Sequence, residues 1–91
     1  MTEIDWNSLT VYAEGPQYTL YISDETDQIN SFFQSRNDLS GYKALIARKN
    51  GTDEAEYVIA DKDNKMAYRT RWLYALEDHV NEVMIHDEGS E

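Results

Sequence analysis

Cysteine is absent from all 91 residues, which excludes disulfides, thiolate zinc sites and a cysteine nucleophile, and fits an intracellular protein. Proline occurs once and glycine four times. Gly15, Gly41 and Gly51 stand singly at expected turns and Gly89 lies in the tail, so no glycine-rich phosphate loop exists. No apolar run approaches the roughly 20 residues needed to cross a bilayer, and Met1-Thr2-Glu3 lacks the basic start of a signal peptide. A cytoplasmic location away from the membrane is expected.

Positive charge is also missing from both ends of the chain. All eight Lys and Arg residues lie between Arg36 and Arg71, while the 18 acids are spread along the whole length, giving a net charge of −10. Residues 1–35 carry Glu3, Asp5, Glu14, Asp24, Glu25 and Asp27 with no base, and residues 72–91 carry Glu77, Asp78, Glu82, Asp87, Glu88 and Glu91 with no base. Such a field repels nucleic acid and anionic membrane and attracts basic protein surfaces. Adaptation to high salt would not by itself leave two base-free blocks.

What is present is a core-forming composition: 41% hydrophobic, with two Trp, seven Tyr and two Phe. That is too aromatic for a disordered acidic chain. Ninety-one residues make one domain, near the lower limit for folding without metal or disulfide. Residues 8–23 read as a hairpin: Leu9, Val11 and Ala13 alternate, Gly15-Pro16 breaks the run, and Tyr18, Leu20 and Ile22 resume it, with Tyr12 and Tyr21 on the other face. Ser23 or Asp24 caps a helix to about Arg36, with Ile29, Phe32 and Phe33 at core spacing. A second hairpin joins Tyr42–Lys49 to Ala55–Ala60 around Asn50-Gly51, a dipeptide suited to the positive φ of tight turns.

After Ala60 both periods fit. Met66, Tyr68, Thr70 and Trp72 alternate like a strand, whereas Leu73, Leu76, Val80 and Val83 have helical spacing. A strand to about Thr70 and then a helix to about Ile85 is the preferred division. The expectation is a single α+β domain over residues 1–86: an antiparallel sheet of four or five strands with two helices, in the order ββαββ(β)α. Residues 87–91 form a mobile acidic tail. Met1–Asn7 stays unassigned, although Ile4 and Trp6 have reason to pack.

Catalytic and metal signatures are weak. His79 and His86 stand seven apart, roughly 10 Å along a helix and too far for one ion. Asp78, Glu82 and His86 at spacing four are closer, but fit a solvated helix face better than a metal site. Asp61-Lys62-Asp63 begins like a calcium loop, yet Lys65, Met66 and Trp72 stand where an oxygen ligand, the turn glycine and the bidentate Glu belong. No nucleophile elbow is present, and a carboxylate pair chosen from 18 acids would be arbitrary. Neither an enzyme nor a bound cofactor or metal is expected. The bases Arg48, Lys49, Arg69 and Arg71 near Tyr42 and Tyr68 suggest a nucleic-acid patch, but the total charge argues against direct binding, and these bases better neutralise nearby acids or lie toward a subunit partner.

The acids themselves form candidate rows. Asp24, Glu25 and Asp27 open the first helix, Asp53, Glu54 and Glu56 flank the second turn, and Glu77, Asp78, Glu82, Asp87 and Glu88 occupy the end. Carboxylates two apart on a strand stand roughly 6.7 Å apart, and four apart on a helix about 6 Å, comparable with the spacing of duplex phosphates. In size, lack of cysteine, acidic blocks and abundant aromatics, the chain resembles the small acidic DNA-mimic proteins of bacteriophages and mobile elements. The resemblance carries over no site residue by residue. It implies a protein that occupies the basic DNA-binding surface of a host protein and blocks its grip on the duplex. A histone-like nucleoid protein of the HU type is the favoured target, because its saddle and arms read charge and shape. A homodimer would join two acidic rows across a twofold axis. The alternative is a phage structural, assembly or regulatory protein-binding module without DNA mimicry.

Overall fold

The computed structural model describes residues 4–85. Five strands and two α-helices succeed one another in the order ββαβββα: β1 (Thr10–Glu14), β2 (Tyr18–Ile22), α1 (Asp27–Gln34), β3 (Lys43–Lys49), β4 (Ala55–Ala60), β5 (Met66–Thr70) and α2 (Leu73–His79). The strands form one antiparallel sheet in sequential order, so the fold is α+β. The expected tail, with Asp87 and Glu88, and His86 lie outside the described residues.

The β3–β4 hairpin is the centre of the molecule. Gly51 supplies the positive φ of 83° at its turn, and the pairing runs from Lys43 opposite Ala60 to Arg48 opposite Ala55. Ala44–Ala47 and Tyr57–Ala60 are buried without interruption, the pattern of strands covered on both faces. On one face, Ile29 and Phe33 of α1 and Leu76 and Val80 pack with Ala44, Ile46, Tyr57 and Ile59. Helix α1 is also pinned by polar contacts. Asn30 accepts from the Ala44 N–H at 2.7 Å and donates to the Ala44 carbonyl at 2.9 Å, and the buried Thr26 hydroxyl reaches that carbonyl at 3.0 Å. Ser23 begins this segment as expected, its Oγ accepting from the Glu25 N–H.

The opposite face carries a second cluster, Leu20, Leu45, Ala47, Val58 and Ala60. Long side chains arch over it. Arg69 of β5 donates to the Tyr18 hydroxyl of β2 at 3.0 Å, and the Lys43 ammonium lies 5.6 Å from the Tyr12 ring centre. The small residues Ala47, Val58 and Ala60 leave room beneath these stems, whose methylene and ring atoms exclude water while their polar tips stay wet.

The structure corrects the first hairpin. Val11 pairs with Tyr21 and Ala13 with Leu20, so a bulge at Tyr12 interrupts the alternation, and the extra residue shifts which side chains share a face. Val11 is 46% and Ile22 40% exposed, whereas Tyr21 is buried. Tyr21 gains its cover from Trp6, whose ring centre lies 4.9 Å away at the start of a short 3-10 turn, Trp6–Ser8. Beyond His79 the chain continues as a π-helical turn, Val80–Ile85, rather than as α-helix. The wider turn breaks the four-residue stacking expected between Asp78 and Glu82. Asp61 Oδ1 accepts from the N–H groups of Asp63 and Lys65, so the calcium-like run is a self-bonded turn, closed by Asn64 at φ 63°.

Candidate partner-binding surface

Three of the eight bases in the middle of the chain are paired with neighbouring acids. Arg36 pairs with Asp38 at 3.2 Å, Arg48 with Asp53 at 3.2 Å and Arg69 with Glu56 at 2.8 Å. Each of these guanidinium groups also lies over an aromatic ring: Arg36 over Phe32 at 5.6 Å, Arg48 over Trp6 at 5.0 Å and Arg69 over Tyr18 at 5.0 Å. The ring's negative face and the carboxylate share one cation between them. Bonding to Glu56 and Tyr18 raises the Arg69 pKa above its ordinary value against a smaller opposing effect of burial.

The candidate rows therefore differ. Asp53 and Glu56 by the second turn are partly neutralised, leaving Glu54 exposed between them. Asp24, Glu25 and Asp27 are exposed at the entrance to α1, where the helix's positive end favours them. Glu25 accepts a 3.0 Å hydrogen bond from the Tyr57 hydroxyl. Burial, and then that carboxylate, push the Tyr57 pKa up to about 12. Asp24 and Glu25 border a cavity of about 590 Å³ with Ile4, Leu9, Ile46 and Tyr57. Its serines are occupied in turns: Ser8 Oγ donates to the Asp5 carbonyl and Ser23 Oγ accepts from Glu25.

Helix α2 carries the third row. Leu73, Leu76 and Val80 turn toward the sheet, which leaves Tyr74, Glu77 and Asp78 on the outer side at spacings of three and four. All three are exposed, as is Glu82 in the following turn, and none of these acids has an ion-pair partner among the described residues. Trp72 is 57% and Tyr74 64% exposed, with ring centres 6.3 Å apart. Sequence reasoning missed this aromatic pair. The signal was available for Tyr74, which falls opposite the Leu73, Leu76, Val80 stripe and beside the acids. Trp72 also borders a cavity of about 490 Å³ with Arg69, Arg71, Lys49 and Glu54.

His79 is stacked on Tyr68 with ring centres 3.8 Å apart and planes within 10°. Burial there lowers its pKa below the usual value. No group of three His, Cys, Asp or Glu side chains among the described residues is placed to hold a metal ion. No helix among them is long and apolar enough to cross a membrane. No protein-family model, curated protein or solved structure matches the chain.

Proposed function

We propose that this chain is an acidic DNA mimic that covers the basic DNA-binding surface of a host protein, with a histone-like nucleoid protein of the HU type as the target, and prevents it from holding duplex DNA. The observation that supports this reading is the internal pairing of three of the four arginines. Arg36, Arg48 and Arg69 answer acids of their own central block, while the rows at the start of α1 and on α2 lie outside those pairs. Uncompensated carboxylates of this kind steer basic partners and are weakened by salt.

The test is displacement. Added to a complex of purified HU-type protein with fluorescent duplex, the chain is expected to release the DNA at low salt and to lose that effect as salt rises. Replacing Glu77, Asp78 and Glu82 together by Lys is expected to weaken displacement and flatten its salt dependence. Complexes that stay intact at every concentration of the chain would overturn the reading for this target. The exposed Trp72–Tyr74 pair favours a second reading, protein binding without mimicry, since exposed aromatics anchor protein interfaces. A partner that binds equally well in the presence of saturating duplex would select it.

A further inference from the structure

Three of the four arginines in this chain are held in one way, over an aromatic ring and paired with a carboxylate. The rings differ, Phe32, Trp6 and Tyr18, and so do the acids, Asp38, Asp53 and Glu56. Arg36 is the local case, one helical turn beyond Phe32 and two residues before its acid. The other two join segments distant in sequence. A planar cation suits such a site because its face stacks on the ring while its edge donates to the carboxylate. A lysine ammonium, compact and strongly hydrated, uses the carboxylate well and the ring less.

The outer side of α2 presents the same two components with no ion-paired cation among the described residues. Tyr74 is exposed, Glu77 and Asp78 follow at one helical turn on the same side, and residues 72–91 contain neither Lys nor Arg. Arg71, the fourth arginine, lines the cavity on the strand side of Trp72 with Glu54 and Glu56. We infer that Tyr74, backed by Trp72 and flanked by Glu77 and Asp78, is a docking position for an arginine side chain of the basic partner. This rests on the proposed role of the acidic rows and adds a chemical preference to it: arginine rather than lysine at this point of the interface. The charge supplies attraction to any basic surface, and the exposed ring supplies the discrimination.

The experiment compares hexa-arginine and hexa-lysine peptides by titration calorimetry against the full chain, the Tyr74→Ala variant and the Glu77→Gln/Asp78→Asn variant. Circular dichroism checks that each variant keeps its fold. The full chain is expected to bind hexa-arginine more tightly. Tyr74→Ala is expected to lower the arginine-to-lysine affinity ratio by about 2- to 5-fold, the size of one exposed cation–ring contact, while hexa-lysine affinity stays unchanged. Glu77→Gln/Asp78→Asn is expected to weaken both peptides. Equal affinities in the full chain, a ratio untouched by Tyr74→Ala, or no binding of either peptide would each overturn the inference. Displacement of duplex from the nucleoid protein, measured with the same Tyr74→Ala variant, separates the two readings. Displacement kept by a chain with no arginine preference leaves the acidic rows standing and removes only the docking position, whereas displacement absent from the full chain removes the proposed target.

Discussion

The β3–β4 hairpin and helix α2 adjoin in the same fold but treat their charges in opposite ways. Around the hairpin, Arg48 and Glu56 each have an ionic partner at 3.2 Å or less, and the strand interiors are buried on both faces. On α2 and the turn after it one stripe, Leu73, Leu76 and Val80, meets the core, and the acids on the far side have no such partner among the described residues. The contrast teaches that net charge is a poor guide to where a small acidic protein meets others. The charges that matter are those left after the fold has satisfied its own. It also implies a separation of roles, in which the charges around the hairpin serve the fold and those on the outer side of α2 face a partner.

The fold itself can be broken most forcefully in the core. Phe33→Ala, at a fully buried site beneath α1, is expected to cost about 3–5 kcal/mol in urea unfolding. Leu45→Ala on the helix-free face, equally buried, is expected to cost about 2–5 kcal/mol. A loss well below that range would show that the arching side chains of Tyr18, Arg69, Lys43 and Tyr12 leave that face wet. Asn30→Ala removes both contacts between its amide and Ala44 and leaves a backbone N–H without its acceptor, so a loss of about 1–3 kcal/mol is expected by the same measurement.

Replacing Glu77, Asp78 and Glu82 by Lys sharpens the contrast from the other side. These exposed sites are expected to change unfolding free energy by no more than about 0.5 kcal/mol each, while displacement of DNA from the partner falls. A large stability loss would show that these carboxylates help to hold the fold. The smallest effect concerns His79. Its folded-state pKa lies below the ordinary value because burial against Tyr68 disfavours the charged ring. The folded state therefore binds the proton more weakly than the unfolded chain. Its contribution is fully kept above about pH 6.5, the ordinary histidine value, and is lost as pH falls toward the lower folded value. Thermal melts between pH 7.5 and 5 are expected to show wild type losing stability relative to His79→Gln, a difference in which the titration of the acids common to both chains cancels.

The parts of this fold readable from sequence are those governed by neighbours in the chain. Asn50-Gly51 specified its turn because the positive φ is a local demand, and the spacing of Leu73, Leu76 and Val80 specified the buried stripe of α2. The bulge was not readable, since Val11, Tyr12 and Ala13 alternate acceptably in either register until β2 chooses between them. The change from α to π turn at Val80 was equally hidden, as nothing in Val80–Ile85 distinguishes the two hydrogen-bond patterns locally. At the candidate surface, the acidic rows could be listed, but not which of them the fold had already neutralised. Arg69 finds Tyr18 across 51 residues and Glu56 across 13, separations at which charge patterning gives no pairing information.

The bulge at Tyr12 has a bearing on how these molecules behave when crowded. β1 is an outer strand of an open sheet, and open edges are templates on which further chains add, strand by strand, into fibres. The exposed Val11 and Ile22 beside that edge would reward such growth. An incoming strand in regular register, however, meets an unmatched residue midway along a five-residue edge, and its ladder of hydrogen bonds stops there. Two neighbouring copies also bring net charges of −10 each against one another. Kink and like charge thus act together against polymerisation, keeping an apolar edge in water as the margin of a discrete particle.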